Sequence, residues 1–213
     1  MISALTALER LREGNQRFVA NVRGAEAILS QLRRAEMVFD QHPFAIVLGC
    51  SDSRVPAEIV FDQGLGDLFV IRVAGNVVAP SQIGSVEFAA ERFGTRLVVV
   101  LGHSHCGAVQ ATLQALAKGP AAASHHVMSI VDRIQPALEP LLGTELARDP
   151  ETLLRAAVRA NVRAAAGHLR HGSELLERLV SKEGLVIVGA EYDLRSGRVD
   201  FFDDVPVSDP RIG

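Results

Sequence analysis

The stretch Pro43-Phe-Ala-Ile-Val-Leu-Gly-Cys50 decides the fold, because a short, continuous apolar run after a proline is typical of a strand buried on both faces. The stretch Arg96-Leu-Val-Val-Val-Leu-Gly-His103 has the same form. Each run ends in Gly followed by a side chain that can bind a metal. Buried strands of this kind predict an α/β protein whose mostly parallel sheet is covered on both sides by helices.

Further segments on both sides of these two runs extend the pattern. Strands are also predicted at 67–73, 185–193 and 198–203, and helices at 1–21, 55–61, 81–94, 106–119, 124–142, 150–171 and 173–180. Segment 28–38 is compatible with one more helix. Thr6 and Glu9 have the spacing of a capping box for the first helix. Asp149 is the predicted N-cap of the helix that begins at Pro150.

The last two strands are joined by a turn at Ser196-Gly197, which is too short for a crossover. They are therefore expected to pair antiparallel at one edge of the sheet. The predicted fold is α/β, with a mostly parallel sheet of four to five strands flanked by helices, an antiparallel edge strand and an N-terminal helical arm. The length predicts a single domain, 1–213, with the arm at 1–40 and the α/β core at 41–213.

Composition excludes several classes of partner. The 213 residues are 48% hydrophobic and 22% charged with a net charge of −3, and no block of Lys and Arg predicts binding to nucleic acid or to an anionic membrane. No apolar run approaches the roughly 18 residues that span a bilayer. The first residues resemble a mature amphipathic helix rather than a signal peptide. With Cys50 and Cys106 as the two cysteines, a cytoplasmic location and a metal or catalytic role are expected rather than a disulfide.

Three side chains that bind metals are predicted to converge at the carboxyl edge of the sheet. Cys50 and His103 each follow a predicted strand, and Cys106 begins the next helix. Ligands of open α/β sheets bind beyond the carboxyl ends of the strands. Zinc prefers thiolate and imidazole in a tetrahedron, and three protein ligands leave the fourth position open, as in catalytic sites. The pattern therefore predicts one zinc ion per chain.

Asp52 and Arg54 follow Cys50 at alternate positions. A carboxylate beside the metal can accept a hydrogen bond from zinc-bound water, and a guanidinium behind it can hold that carboxylate by a bidentate pair and keep it ionised. Zinc lowers the pKa of bound water to about 7. The two residues are therefore predicted to form a catalytic dyad that orients a zinc-bound hydroxide.

The motif Cys50-Ser-Asp-Ser-Arg-Val-Pro56, together with His103-Ser-His-Cys-Gly107, resembles the β-class carbonic anhydrases, and the resemblance runs nearly end to end. It implies that the three metal-type residues are zinc ligands and that the Asp and Arg are the catalytic dyad. It implies a zinc lyase that reversibly hydrates carbon dioxide to bicarbonate and a proton. Relatives with these motifs make a carbonyl sulfide or carbon disulfide hydrolase the alternative.

The same resemblance supplies candidate substrate-binding residues. The Gly107 amide corresponds to a backbone donor to bicarbonate, and Gln41 to a substrate-binding glutamine. Phe69 and Phe88 correspond to aromatic walls of a small apolar pocket, although core packing is an equal interpretation for both. The family assembles as dimers or larger oligomers, with the N-terminal helix embracing the partner and the site near the subunit boundary. A homodimer or homotetramer is therefore expected.

One position departs from a pattern found in some bacterial members. Those members resemble enzymes regulated by bicarbonate that a Trp, an Arg and a Tyr hold away from the zinc. Arg72 and Tyr192 match two of these positions, but Val47 stands where the Trp would be. The sequence therefore favours the open subtype, in which Asp52 stays off the metal.

Other interpretations of the same residues remain open at this stage. Cys106 paired with His103 or His105 is a possible cysteine nucleophile, although that leaves the other motif residues without a role. A zinc-stabilised interaction domain would instead use Asp52 as a permanent fourth ligand. His105 competes with His103 for the metal, but the i, i+3 step from His103 to Cys106 suits chelation better. Solvent-facing helix positions are expected for the remaining histidines of the helices, His125, His126, His168 and His171.

Overall fold

The structure is a computed structural model that describes residues 2–25, 34–118 and 124–205. Its five strands are β1 (Ala45–Gly49), β2 (Leu68–Arg72), β3 (Leu97–His103), β4 (Val186–Tyr192) and β5 (Val199–Asp203). They form one sheet in the order β2-β1-β3-β4-β5. The first four strands are mutually parallel, and β5 pairs antiparallel with β4 at the edge. The predicted α/β class and the antiparallel edge strand are confirmed.

Seven α-helices lie within the described ranges: α1 (Ala4–Val19), α2 (Ala57–Val60), α3 (Pro80–Arg92), α4 (Gly107–Lys118), α5 (His125–Leu142), α6 (Pro150–His171) and α7 (Glu174–Lys182). Short 3₁₀ turns occur at Arg34–Met37, Ala74–Asn76 and Glu145–Arg148. Most of the helix suggested at 28–38 lies outside the described residues, and its end is the first of these 3₁₀ turns. None of the helices in the described part of the chain combines the length and the apolar character needed to cross a membrane.

Side chains of β1 alternate between two apolar layers, as expected for a strand buried on both faces. Val47 packs in the layer that contains Leu8 and Leu11 of α1. Ile46 and Leu48 pack in the opposite layer, which is built mainly from α3, α6 and α7. All five side chains are fully buried, and each is worth about 1.5–3 kcal/mol relative to exposure. β1 is therefore buried on both faces, and its carboxyl end leads directly into Cys50.

The N-terminal helix is anchored to its own chain. Beyond its apolar face, Asn15 donates from Nδ2 to the Val60 and Gly197 carbonyls at 3.1 and 2.9 Å. Its Oδ1 accepts from the Val199 amide at 2.9 Å. The arm is therefore part of the folded unit, and any contact with a second copy would use its other surfaces.

The cap predicted for α1 is wrong, whereas the cap predicted for α6 is confirmed. Ser3 is the N-cap of α1, and its Oγ accepts from the Thr6 amide at 3.0 Å. Thr6 therefore lies inside the first turn and cannot cap it together with Glu9. The Asp149 carboxylate accepts from the Thr152 amide at 3.1 Å, directly before Pro150 opens α6.

Two glycines let α6 lie close to the sheet. A Cβ on Gly102 of β3 would fall 2.5 Å from Val162 Cγ2, and one on Gly189 of β4 would fall 2.9 Å from Val162 Cγ1. Gly102 is therefore required by a close helix–strand approach rather than by a turn, and Gly189 by the approach of both α6 and Asp203 of β5, whose Cβ would lie 2.8 Å away. The approach brings the middle of α6 over the carboxyl end of β3, where His103 lies.

The register between β1 and β3 sets the relative height of the two strand ends. Gly49 lies opposite Leu101, so Cys50 follows β1 at about the level of Gly102 in β3. His103 is the next residue of β3. Two side chains separated by more than fifty positions in sequence are thereby placed at the same edge of the sheet.

Candidate metal centre

Cys50, His103 and Cys106 lie together at this edge, as the sequence predicts. Their candidate ligand atoms all lie within 4.8 Å of one another, and all three residues are buried. Cys50 directly follows β1, His103 is the last residue of β3, and Cys106 directly precedes α4. A tetrahedral zinc ion with bonds of about 2.0–2.3 Å needs ligand atoms roughly 3.5 Å apart, which this cluster allows.

The His103 imidazole is arranged so that one nitrogen faces the two cysteines. Its Nδ1 contacts the Ser104 carbonyl oxygen at 2.9 Å, and because a carbonyl only accepts, Nδ1 carries the proton. The Nε2 lone pair is therefore free, and Nε2 is buried without a hydrogen-bond partner among the described residues. An unpaired buried nitrogen is costly. Two sulfurs and an imidazole fit zinc, whereas Mg²⁺ and Ca²⁺ prefer oxygen ligands.

The two cysteines have opposite proton affinities because they share a hydrogen bond. The Cys106 thiol donates to Cys50, and this bond lowers the pKa of the Cys50 thiol. The same bond, together with burial, raises the pKa of Cys106. Because thiolates are the form that binds a metal, metal binding would release the thiol protons.

Asp52 and Arg54 form the predicted pair beside this cluster. Arg54 donates from Nε to Asp52 Oδ1 at 2.9 Å and from Nη2 to Oδ2 at 2.8 Å. The backbone amide of Arg54 donates to Oδ1 as well, at 3.0 Å. These bonds from Arg54 hold the pKa of Asp52 well below its usual range. Asp52 Oδ2 lies 3.9 Å from His103 Nε2, so the ionised carboxylate borders the metal-type cluster.

Arg72, at the end of β2, fixes the loop that carries Cys50 and Asp52. It donates from Nε to the Cys50 carbonyl at 3.0 Å and from Nη2 to the Asp52 carbonyl at 2.6 Å. The Ser51 amide also donates to the Val73 carbonyl at 3.3 Å. The loop after β1 is thus tied to the adjacent strand end, which keeps its side chains in register with the cluster.

The positions related to the regulatory pattern do not present a polar pocket in this chain. Val47 is fully buried in the core and offers no hydrogen-bond donor to an anion. Tyr192 is buried as well, and its ring packs against Phe18 with centroids 6.4 Å apart. The Arg72 guanidinium donates hydrogen bonds to the carbonyls of Cys50 and Asp52.

Two residues near the cluster belong to no motif of the sequence. The Gly75 amide donates to Cys50 Sγ at 3.3 Å. The Asn161 side chain on α6 donates from Nδ2 to the Gly75 carbonyl at 2.8 Å. Gly75 contributes through its backbone, and 86 positions separate it from Asn161. For Asn161, the one indication in the sequence is a polar residue on an otherwise apolar face of a predicted helix.

Three of the predicted substrate-binding residues lie away from the cluster of their own chain. Phe69 pairs with Ile46 near the start of β1, and its ring lies 6.3 Å from that of Phe88, centroid to centroid. Gln41 precedes β1 and lines a cavity of about 530 Å³ together with Phe93. Because β1 rises about 3.3 Å per residue, its five residues span roughly 16 Å, and this aromatic group lies toward the opposite end from Cys50.

Gly107 is the fourth predicted substrate-binding residue, and it lies beside the cluster. It is the first residue of α4 and directly follows Cys106. It is exposed, and a Cβ built on it would meet nothing within 4 Å. Amides of the first helical turn lack intrahelical acceptors and carry a partial positive charge. The Gly107 amide is therefore available to an anion at this end of the helix.

The alternative chemistries fit the geometry less well. Cys106 is only 1% exposed and its thiol pKa is raised, which is the opposite of an activated nucleophile. His105 is exposed, with a left-handed backbone at φ 54°. Both carboxylate oxygens of Asp52 are engaged by Arg54, which does not favour a role as permanent fourth ligand. The four histidines predicted to face solvent on the helices are exposed, as expected.

A larger cavity, of about 840 Å³, lies between α1, α6 and the β4–β5 hairpin. Its lining includes Arg159, which is paired with Glu191 at 2.7 Å and also contacts Asp200. None of the three candidate metal ligands lines it. The buried cluster, rather than this larger cavity, is therefore the candidate site.

The chain is similar to known carbonic anhydrases. A family model described as carbonic anhydrase matches residues 45–199. A carbonic anhydrase of Mycolicibacterium smegmatis is 42% identical over 200 residues, covering 92% of each chain. The solved structure of the β-carbonic anhydrase CcaA is similar with a TM-score of 0.72 at 25% identity, covering 96% of this chain and 95% of that one. One of two tetrameric β-carbonic anhydrases of Sordaria macrospora has a TM-score of 0.73 at 20% identity, covering 92% and 97%.

Proposed function

Because the chain belongs to the β-class carbonic anhydrases, a family of lyases, we propose that it reversibly hydrates carbon dioxide to bicarbonate and a proton. We propose one zinc ion per chain, bound by Cys50, His103 and Cys106. The observation that carries this proposal is the buried His103 Nε2, which faces two cysteines without a hydrogen-bond partner among the described residues. When bound, zinc supplies a Lewis acid that lowers the pKa of a water ligand toward about 7.

Asp52 orients the reacting group. Ionised, it has only acceptor oxygens, so it binds a hydrogen-bearing oxygen at the open side of the cluster and leaves that oxygen's lone pair directed elsewhere. Arg54 fixes both carboxylate oxygens from behind and keeps them ionised. An acceptor at this place binds an oxygen that carries a hydrogen and repels an oxygen that carries none. Asp52 therefore favours hydroxide and bicarbonate over anions that have no hydrogen to donate.

Gly107 stabilises the product. Its amide lies at the N-terminus of α4, next to Cys106. Bicarbonate carries a negative charge that the free amides of a first helical turn bind well. The position is exposed in the single chain, and a Cβ there would meet no atom within 4 Å, so no side chain of this chain blocks the Gly107 amide.

A second copy of the chain completes the substrate pocket. Gln41, Phe69 and Phe88 are grouped toward the other end of the sheet from the cluster of their own chain, and they therefore act in a neighbouring subunit. Phe88 is 55% exposed and Phe39, which lines the same cavity as Gln41, is 94% exposed. Large apolar side chains that are this exposed favour an interface. We propose a homodimer or homotetramer, and the larger assembly is supported by the similarity to the β-carbonic anhydrases of Sordaria macrospora, which are described as tetrameric.

The fourth zinc position is open at neutral pH in this proposal. Support comes from the bidentate Asp52–Arg54 pair, because a carboxylate engaged on both oxygens must give up those bonds to coordinate a metal. Val47 stands where the bicarbonate-regulated members have a Trp, and this difference also supports an open fourth position.

Metal analysis and stopped-flow hydration test the function. Purified protein should contain about one zinc per chain, and it should hydrate carbon dioxide in a pH-indicator assay. Removal of the metal with a chelator should abolish hydration, and added zinc should restore it. Metal-free protein with full activity, or zinc-loaded protein with no hydration at any pH, would show the proposal to be wrong. Turnover of carbonyl sulfide without turnover of carbon dioxide would favour the alternative hydrolase.

A further inference from the structure

The sulfur of Cys50 receives a backbone hydrogen bond in addition to its contact with Cys106. The Gly75 amide donates to Cys50 Sγ at 3.3 Å. Gly75 lies in the 3₁₀ turn Ala74–Asn76, immediately after β2. An N–H donor withdraws electron density from a thiolate, and groups that contact a metal's ligands tune the metal itself.

Packing fixes the conformation of this turn. Gly75 has a φ of 67°, a region that residues with a side chain rarely adopt. A Cβ there would fall 2.8 Å from Ile134 Cδ1 on α5 and 3.0 Å from Ala108 Cβ on α4. The turn is therefore enclosed by two helices, and the direction of the Gly75 amide depends on groups outside the turn.

Asn161 is one of those groups. It lies on α6, is 3% exposed, and has Ala157, Val158, Val162 and Ala165 as buried neighbours on that helix. Burying a carboxamide on an apolar face is unfavourable unless it is hydrogen-bonded. Its Nδ2 donates to the Gly75 carbonyl at 2.8 Å. Asn161 of α6 thus binds the carbonyl of Gly75, and the amide of Gly75 in turn donates to Cys50 Sγ.

We propose that Asn161 is a positioning residue for the metal centre. By holding the Gly75 carbonyl, it keeps the Gly75 amide directed at Cys50 Sγ, which orients the thiolate and limits its electron donation to the zinc. The inference rests on the proposed function, because it requires zinc to be bound by Cys50. It assigns to α6 a role in tuning the metal, although α6 provides no ligand.

Two variants separate this role from a merely structural one. Asn161→Leu removes the donor and keeps a similar volume, and Asn161→Ala removes the donor without adding any bulk. Asn15→Leu is the matched control, because Asn15 is also a buried Asn bonded to backbone carbonyls, those of Val60 and Gly197. Zinc affinity is measured by chelator competition on the full-length folded protein. The cobalt-substituted proteins are compared by the absorption band for charge transfer from sulfur to the metal.

Loss of the Gly75 contact should leave Cys50 more electron-rich and less well oriented. The poorer orientation of Cys50 should weaken zinc binding about 10- to 100-fold in both Asn161 variants. The higher electron density on its sulfur should move their cobalt charge-transfer band to longer wavelength. Asn15→Leu should lower the melting temperature while leaving both readouts unchanged.

Failure of this inference is distinguishable from failure of the proposed function. Wild-type protein that neither binds zinc nor hydrates carbon dioxide would overturn the function itself. Wild-type protein that does both, together with folded Asn161 variants that keep wild-type zinc affinity and an unshifted cobalt band, would overturn only the role of Asn161. A band shift of equal size in Asn15→Leu would also overturn it, since the effect would then follow from general loss of stability.

Discussion

Arg54 holds the Asp52 carboxylate through two parallel hydrogen bonds, from Nε to Oδ1 at 2.9 Å and from Nη2 to Oδ2 at 2.8 Å. The geometry is that of a guanidinium fork on a planar carboxylate, which fixes both position and charge. The Arg54 side chain is 55% exposed and that of Asp52 only 17%. The carboxylate beside the cluster is therefore shielded, and the group that orients it faces solvent.

Replacing Asp52 with Asn should remove the orienting acceptor while leaving the metal in place. We expect kcat/KM for carbon dioxide hydration to fall by about 10²- to 10⁴-fold, with zinc content unchanged. Stopped-flow kinetics and metal analysis on the same sample test this. Asp132→Asn, at an exposed position of α5, serves as the control and should retain activity. Full activity in Asp52→Asn would remove Asp52 from the mechanism.

Replacing Arg54 with Lys should shift the pH dependence of hydration. Arg54 lowers the pKa of Asp52, and Lys keeps the charge but not the bidentate fork. The pKa of Asp52 should then rise toward its usual value, so its protonation as pH falls should begin at higher pH. The zinc-bound water limits hydration first as pH falls, so the effect of Asp52 should appear below that limb: kcat/KM should fall more steeply with falling pH in the variant, because the water and Asp52 both gain protons there. An unchanged profile would mean that the fork does not control the charge of Asp52.

Mixing two inactive variants should restore activity if the pocket is completed by a second copy. A mixed dimer of Asp52→Asn and Gln41→Ala chains has one site with both residues intact, provided that Gln41 acts across the boundary. Random reassociation makes about half of the dimers mixed, so up to roughly a quarter of all sites should recover. Hydration is measured before and after joint dissociation and reassociation. Absence of recovery, with mixed dimers shown by mass spectrometry, would place Gln41 in its own chain's site or outside any site.

The Asp149 cap should stabilise α6 in a pH-dependent manner. Hydrogen bonds to Thr152 lower the pKa of Asp149 in the folded protein. A depressed folded pKa contributes stability above the unfolded pKa, and this stability is lost as pH falls through the folded pKa. Asp149→Ala should lower the melting temperature by about 2–4 °C at pH 7, and the difference from wild type should shrink in acid. Asp149→Asn, which retains a neutral cap, should lose less at pH 7. A difference that is constant with pH would show that the ionised carboxylate is not the stabilising form.

Much of the fold follows from local pattern. The continuous apolar runs before Cys50 and His103 predict two central strands. The N-cap Asp149, followed by Pro150 at the first helical position, predicts where α6 begins. The error at the first helix has a simple cause, because Ser3 offers a cap one turn earlier than Thr6. A local pattern cannot rank two competing caps when the packing of α1 on the core selects between them.

The parts of the site that consist of chemically distinctive side chains could be predicted from the sequence. The parts that act through the backbone, or through a contact with it, could not. The metal cluster and the Asp52–Arg54 pair consist of chemically distinctive side chains that follow strand ends. Gly75 acts through its amide and Asn161 through a contact 86 positions away, and neither leaves a motif. Phe69 and Gln41 were assigned only by family resemblance, and a single chain shows them grouped away from its own cluster.

The pairing of β1 with β3 allows the segment between Cys50 and His103 to vary in length. Gly49 lies opposite Leu101, so adjacent strand ends, and not the length of the segment between them, place Cys50 and His103 together. Insertions in the turn between α3 and β3 would lengthen the path without separating the two residues. Deletion of one residue inside β3 would turn His103 to the opposite face of the sheet. Evolutionary gain and loss of residues should therefore concentrate at the turns and spare the two strands.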